Sequence, residues 1–346
     1  SLAMGLAVGL RPDPGVTAAA ELTGPLTPPG WRYNPSDWTQ RLPIIGLALI
    51  GLFVSLSLSA YQLGHIDAVW EPFFPGGPDP RNGTEEIITS EVSEAWPVPD
   101  AAVGALVYAL EIVTGFIGSR RRWRTMPWLV IAFGLMIVPL GVVSIGFIII
   151  QPIVIGTWCT LCLIGAAAML VQVPYAMDEL LASLQFLIRR KRAGHPILRT
   201  LLVGDTDDGP AEVATDEFSR PAPAILRDMA TGGVNLPWNL GLAALVGIWL
   251  MFTRLTLGAE GGAADADHLI GALVLTVVSI AAAEVTRTAR LALPLLGAAQ
   301  AVCAITFESS ALHTAAGVVA GLALIALAFR RGPVRARYGD WSRRIL

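Results

Sequence analysis

Along the chain, apolar positions gather into eight long stretches separated by short segments where charge, proline and glycine collect. They run from Ile44 to Leu63, Ala101 to Gly118, Pro127 to Ile150, Ile153 to Val173, Pro237 to Leu257, His268 to Val285, Leu291 to Phe307 and Leu312 to Phe329. A hydrocarbon core of about 30 Å takes roughly 20 apolar residues wound as a helix, and the stretches approach that length. The pattern predicts an all-α polytopic membrane protein with about eight transmembrane helices, arranged as two four-helix bundles in a lipid bilayer.

Basic residues set the expected orientation, because Lys and Arg flanking a span are retained on the cytoplasmic side. With the N-terminus inside, Arg32, Arg41, the runs Arg120 to Arg124 and Arg189 to Arg192, Arg287, Arg290 and the run from Arg330 to Arg344 all fall inside. Only Arg81 and Arg254 fall outside, and the outer segment from His65 to Pro99 is acidic, with Asp67, Glu71, Asp79, Glu85, Glu86, Glu91 and Glu94. The reading is a multi-pass protein of a plasma or bacterial inner membrane with both termini cytoplasmic. Several tryptophans, among them Trp38, Trp96, Trp128, Trp158 and Trp238, fall near the expected span ends, as interfacial anchors do.

Composition narrows the class. Of 346 residues, 54% are hydrophobic and 15% charged, with a mean hydropathy of +0.60, whereas a soluble domain carries about 25% charged residues. A formal net charge of -3 is too small to argue for nucleic acid. The chain divides into a Pro-rich cytoplasmic tail (1–40), a first bundle (41–188), a linker (189–235), a second bundle (236–332) and a basic tail (333–346). Ser1 to Leu10 lacks a basic flank and is broken by Arg11 and Pro12, so it reads as tail and not as a signal peptide. Leu180 to Ile188 is expected to continue the fourth helix or to flank it before the four basic residues. In the linker, Asp205 to Gly209 lacks the ligand register of a calcium loop, and no metal is predicted.

The local chemistry lies in Gly156-Thr157-Trp158-Cys159-Thr160-Leu161-Cys162, at the start of the fourth span and so at the outer face. Cysteines at i and i+3 share a helix face, and a helix N-terminus favours a thiolate. They can form a disulfide or act as one reactive thiol, on the side of the membrane where disulfides persist; as an alternative, they are packing residues in an apolar interior. A haem attachment would need His where Leu163 stands. Cys303 reads as core. Within the second span Glu111 is either functional or paired with Arg120 or Arg121, Glu284 has Arg287 at i+3, and Gln151 with Pro152 is expected to make the outer turn. Asn82-Gly83-Thr84 is a glycosylation sequon. No catalytic constellation is evident in the second bundle, and the spans lack the paired buried charges or broken helices that a transporter would show at the midplane.

The C-x-x-C, the apolar run that leads into it and Val98-Pro99-Asp100-Ala101-Ala102-Val103-Gly104 at the second span together resemble the vitamin K epoxide reductase family, quinone-linked thiol oxidoreductases of membranes. The resemblance covers Arg41 to Ile188. It implies that Cys159 and Cys162 are catalytic, with Cys162 facing a quinone of the menaquinone or ubiquinone type and Cys159 exchanging electrons with a thiol partner. Asp100 stands where the family has a quinone-binding Asn, Ala166 where it has a Tyr, and Ser90, or else Ser93, where it has a loop Ser; Trp158 joins these on the quinone side. The family's two loop cysteines have no counterpart between His65 and Pro99. The implied partner is therefore a separate extracytoplasmic thiol redox protein that docks at Cys159; the alternative is a scaffold or accessory subunit that keeps the fold without turnover. In the second bundle, Leu236-Pro237-Trp238 and Arg290-Leu291-Ala292-Leu293-Pro294 open two similar helix pairs, which resemble the SPW repeat family.

Overall fold

The computed structural model describes residues 24–76, 81–95, 97–210, 212 and 216–345; most of the expected N-terminal tail, together with Asp79 and Trp96, lies outside them. Among the described residues the chain is helical, with two isolated bridges and no strand. Eight helices carry the architecture: α1 Trp38–Gln62, α2 Asp100–Phe116, α3 Pro127–Ile150, α4 Thr160–Arg192, α5 Trp238–Met251, α6 Gly261–Ala282, α7 Leu293–Thr306 and α8 Ala311–Ala328. Six segments are long and apolar enough to cross a membrane: α1, α3 extended to Ile155, α4, α6, α7 with the turns from Glu284, and α8.

The remaining two of the eight expected spans are shorter, for local reasons. α2 starts behind Pro99 and has 17 residues. Its last carbonyls are taken by two arginines: Arg41 Nε donates to Gly115 O at 2.8 Å and Arg122 Nη1 to Thr114 O at 2.8 Å. Cations at a helix C-terminus satisfy its unpaired carbonyls and its dipole. Glu179 balances Arg122, whose Nε lies 2.6 Å from Oε1. α5 has 14 residues and breaks at Phe252, after which Thr253–Thr256 adds one more turn.

α4 has 33 residues, about 50 Å of helix, which exceeds the hydrocarbon thickness. The helix thus continues through Leu180 to Ile188, and its last turn carries the basic run clear of the core. There the linker acids return to it: Asp207 accepts from Arg189 Nε at 3.1 Å and Asp205 from Arg190 Nε at 3.0 Å.

α1 packs on α2 and α4, and α3 packs on α4; in the second half α5 pairs with α6 and α7 with α8. Each of these later pairs crosses at two glycines. A Cβ on Gly271 would meet Gly247 O at 2.5 Å, and one on Gly297 would meet Gly321 O at 2.4 Å. The chain interval from Gly247 to Gly271 equals that from Gly297 to Gly321, so the two helix pairs share this crossing. Leucine at position 271 should force the backbones apart, a cost of about 1–3 kcal/mol or more, and lower the thermal midpoint in detergent. Gly241→Leu is the control, since a Cβ there meets nothing nearer than Leu236 at 3.9 Å; equal midpoints for the two variants would refute the close crossing.

The halves meet along α6, which packs on α3 and α4. His268, fully buried in α6, places Nδ1 3.0 Å from Met251 O and Nε2 2.9 Å from Ile148 O. The second half also holds a buried polar group that the linear pattern did not reveal. Asp267 of α6 accepts from Gln300 Nε2 at 2.7 Å, and His313 Nε2 lies 2.7 Å from its other oxygen. No local spacing joins Asp267 and His313; they meet only through the packing of α6 against α7 and α8, near the starts of α6 and α8. Nor does Glu284 rely on Arg287; it accepts from Tyr338 Oη at 2.9 Å and from the amides of Arg335 and Ala336.

Candidate functional site

α3 does not end at Ile150. Gln151–Ile155 continues it as a π-turn, closed by Gly156 with a left-handed backbone (φ 93°) that suits only glycine. The wider turn accommodates Pro152, which has no N–H to give to the ladder, so the outer turn falls after Gly156 and not at Gln151 and Pro152. From there the chain enters α4 with Cys159 as its cap. Cys159 N donates to Gln151 Oε1 at 3.1 Å, and Cys162 N donates to Cys159 Sγ at 3.0 Å. The two sulfurs are joined in a disulfide, with Cα atoms 5.2 Å apart.

The outer segment before α2 lies over this pair. Glu71 reaches the start of α4, accepting from Thr160 N at 2.7 Å and from Thr160 Oγ1, and its carboxylate also takes Thr84 Oγ1 at 2.6 Å and the amides of Phe73 and Phe74. Burial pushes the Glu71 carboxyl up, but the hydrogen bonds from Thr160, Thr84 and Phe73 outweigh it and hold the pKa below the ordinary carboxylate value. Phe74 stacks on Trp158 with ring centres 5.4 Å apart. Gly83 sits so close to Trp158 O that a Cβ would meet it at 2.5 Å. Asn82 of the sequon caps the helix Gly83–Ile88: Oδ1 accepts from Glu85 N, Glu85 returns the bond to Asn82 N, and Nδ2 donates to Val69 O. As a result Cys159, expected to meet an outside partner, is 0% exposed among Val54, Leu58, Val69, Ile87, Ile88 and Leu161.

On its other side the pair adjoins a cavity of about 410 Å³ between α1, α2, α3 and α4. One face of α3 supplies Met136, Leu140, Val143, Ser144, Phe147, Ile148 and Gln151; α2 adds Asp100, Val103, Gly104 and Tyr108; and α4 adds Cys162, Gly165 and Ala166. The wall is apolar apart from a few polar groups, as in small-molecule sites generally. Val103 and Val143 line the cavity and are also 37% and 42% exposed, so it opens sideways between α2 and α3.

Of the residues expected at a quinone, Cys162, Asp100 and Ala166 border this cavity. Ser90 does not: it caps the short helix Glu91–Glu94, donating to Ile87 O at 2.7 Å, and Ser93 three residues on donates to Asp100 Oδ1 at 2.9 Å. The loop serine at Asp100 is therefore Ser93. Trp158 is turned away from the cavity, against Phe74, Phe252 and His268, because its position precedes α4 and follows the outer turn. Glu111 is paired with neither arginine; fully buried, it accepts from Gln172 Nε2 at 2.8 Å.

Two glutamines were not expected at the site. Gln62, at the end of α1, donates to Asp100 Oδ1 at 2.7 Å, to Ser93 Oγ and to Ile88 O. Gln151 holds Cys159 and lines the cavity. The signal available for Gln151 was a carboxamide at the end of a long apolar run, which reads equally well as a span boundary.

The second half reaches the site as well. Cys162 and Leu163 pack against a cluster formed by Ile148, Ala166, Met251 and Ala272, which spans both halves.

In comparison with known proteins, residues 42–177 match the vitamin K epoxide reductase family. No curated protein and no solved structure matches the chain.

Proposed function

Because residues 42–177 belong to the vitamin K epoxide reductase family, whose general chemistry is quinone-linked thiol oxidation and reduction in membranes, we propose that this chain exchanges disulfides through Cys159 and Cys162. The observation that carries the reading is the placement of Cys162 on the apolar cavity while its disulfide partner, Cys159, caps the same helix under the outer segment. The residues fit a flat, largely apolar ring: the lining is mostly hydrocarbon, and Gly165 and Ala166 keep α4 low beside Cys162.

In the oxidising direction a partner's thiolate attacks one sulfur of the disulfide, forming a mixed disulfide, and its second thiol displaces it. The partner leaves oxidised, and Cys159 and Cys162 hold the two electrons and two protons as thiols. A quinone in the cavity supplies the acceptor for both, leaving as quinol as the disulfide closes. Quinone of the menaquinone or ubiquinone type and a separate extracytoplasmic thiol protein are the assigned co-substrate and partner. The proposed orientation puts the pair outside and both termini inside, supported by the basic run that ends α4 at the far end from Cys159. The proposed division keeps 41–188 as the redox bundle and 236–332 as a second bundle of SPW-like repeats, supported by its twice-used glycine crossing.

The test is a thiol-alkylation mass shift on protein reduced, reconstituted in lipid and mixed without oxygen with ubiquinone-1 or menadione. Rapid disulfide formation dependent on quinone is expected. Thiols that stay reduced with both would overturn the reading and leave a structural disulfide in a membrane scaffold, a role that the burial of Cys159 would then explain.

A further inference from the structure

Gln151 is 1% exposed, and its two amide atoms face different things. Oε1 accepts the Cys159 N–H at 3.1 Å. That bond settles which way round the amide sits, since a nitrogen there would oppose one donor with another. The NH₂ group is thereby turned from Cys159, has no partner among the described residues, and belongs to a side chain that lines the cavity with Cys162. A buried donor left unmade costs more than a made hydrogen bond returns, so an orphan of this kind points to an acceptor that arrives from outside the chain.

The other polar groups of the wall do not do the same work. Asp100 receives Gln62, Ser93 and its own helix at Ala101 N, all on Oδ1, and makes every one of these contacts as an acceptor. Ser144 lies about two turns further along α3, and Tyr108 about two turns along α2 from Asp100. Among the described side chains that line the cavity, only Gln151 carries an N–H without a partner.

We propose that Gln151 Nε2 donates to a carbonyl oxygen of a quinone seated against Cys162, so that one side chain joins the bound ring to the backbone of Cys159. The assignment rests on the quinone-linked reading above. It also gives this chain a carbonyl donor at a position that lies on α3, away from Asp100 and Ala166.

The experiment uses the full chain in lipid with ubiquinone-1. Binding to the disulfide form is read by quenching of tryptophan fluorescence, the bound ring by the infrared C=O stretch of carbonyl-labelled ubiquinone-1, and turnover by KM and kcat separately. Wild type should show one carbonyl band shifted down by a hydrogen bond. Gln151→Met should abolish that shift and raise both Kd and KM by about tenfold, the equivalent of about 1.4 kcal/mol, with kcat changed less. Gln151→Glu keeps an acceptor for Cys159 N–H but presents no amide donor, and should weaken binding at least as much; a merely structural role would instead be rescued by it. A wild-type spectrum with both carbonyls at their free frequency, or variants with unchanged KM and spectrum, would overturn the assignment while leaving quinone-linked chemistry in place. Wild-type thiols that no quinone oxidises would remove both.

Discussion

Serine at position 162 should reduce quinone-dependent oxidation of the protein's dithiol to background, a loss of about a thousandfold or more of the kind seen when a covalent participant is removed, without unfolding the chain. Cys162 is the sulfur on the cavity wall, and an alcohol can neither close the disulfide nor pass on its electrons. Cys159→Ser should be equally inactive for a different reason. Its hydroxyl can still accept the Cys162 N–H, because serine is among the best helix caps, so the start of α4 should survive while the redox couple does not. The disulfide spans a sequence separation of only three residues, and so short a loop removes little entropy from the unfolded chain. Both variants should therefore unfold within a few degrees of wild type, about the shift expected for 1–2 kcal/mol. Quinol formation followed by absorbance, beside thermal unfolding in detergent, checks both halves; turnover retained by Cys162→Ser would sink the assignment.

The second large effect concerns Glu71, whose carboxylate gathers Thr160, Thr84 and two loop amides over the pair. Glu71→Ala leaves those donors without their acceptor and removes a negative charge from the N-terminus of α4, together about 2–3 kcal/mol by the usual size of hydrogen bonds to charged groups. The loss falls on the outer segment, so access should change more than global stability: reduction of the disulfide by dithiothreitol should accelerate by about 10- to 100-fold, in proportion to the more frequent opening. Acid should act in the same direction. The folded-state pKa of Glu71 is depressed, so its contribution is fully present above the pKa of the unfolded chain and is lost as pH falls through the folded value. Between neutral pH and the ordinary carboxylate range the reduction rate, corrected for the reductant's own ionisation, should stay level, and it should rise only below that range in wild type and not in Glu71→Ala. A disulfide that is reduced equally fast in both proteins would show that Glu71 does not hold the cover closed.

Much of the fold was legible because lipid imposes a simple rule, long apolar runs bounded by charge, and the eight stretches and the C-x-x-C at the head of α4 follow from it. Helix rotation was not legible. The pattern along Ser90 to Asp100 does not distinguish Ser90 from Ser93, since one caps a short helix and the other reaches Asp100 only after the loop has folded back. The outer turn was displaced because a π-turn lets Pro152 pass within a helix, and hydrophobicity does not change across it. Trp158 sits beside Cys159 in sequence, yet the turn sends its ring toward Phe252 and His268 of the other half. Asp267 with His313, and Gln151 with Cys159, are partners across helix boundaries, and no local spacing rule announces them. Asp100, Ala166 and Cys162 line one cavity, as residues fixed relative to one another by a motif can, whereas single polar residues in apolar runs carry no such frame.

The sideways opening between Val103 and Val143 has a kinetic meaning. A molecule that reaches Cys162 by that route comes from the acyl chains and not from the aqueous phase, since both valines present bare hydrocarbon. The concentration that governs saturation is then moles of ligand per mole of lipid. Diluting the vesicles in buffer at fixed composition should leave the occupancy of a strongly partitioned ligand untouched, whereas adding empty lipid to the same vesicles should lower it. The packing of α6 on α3 and α4 covers the opposite flank, so traffic in two dimensions has one direction of approach.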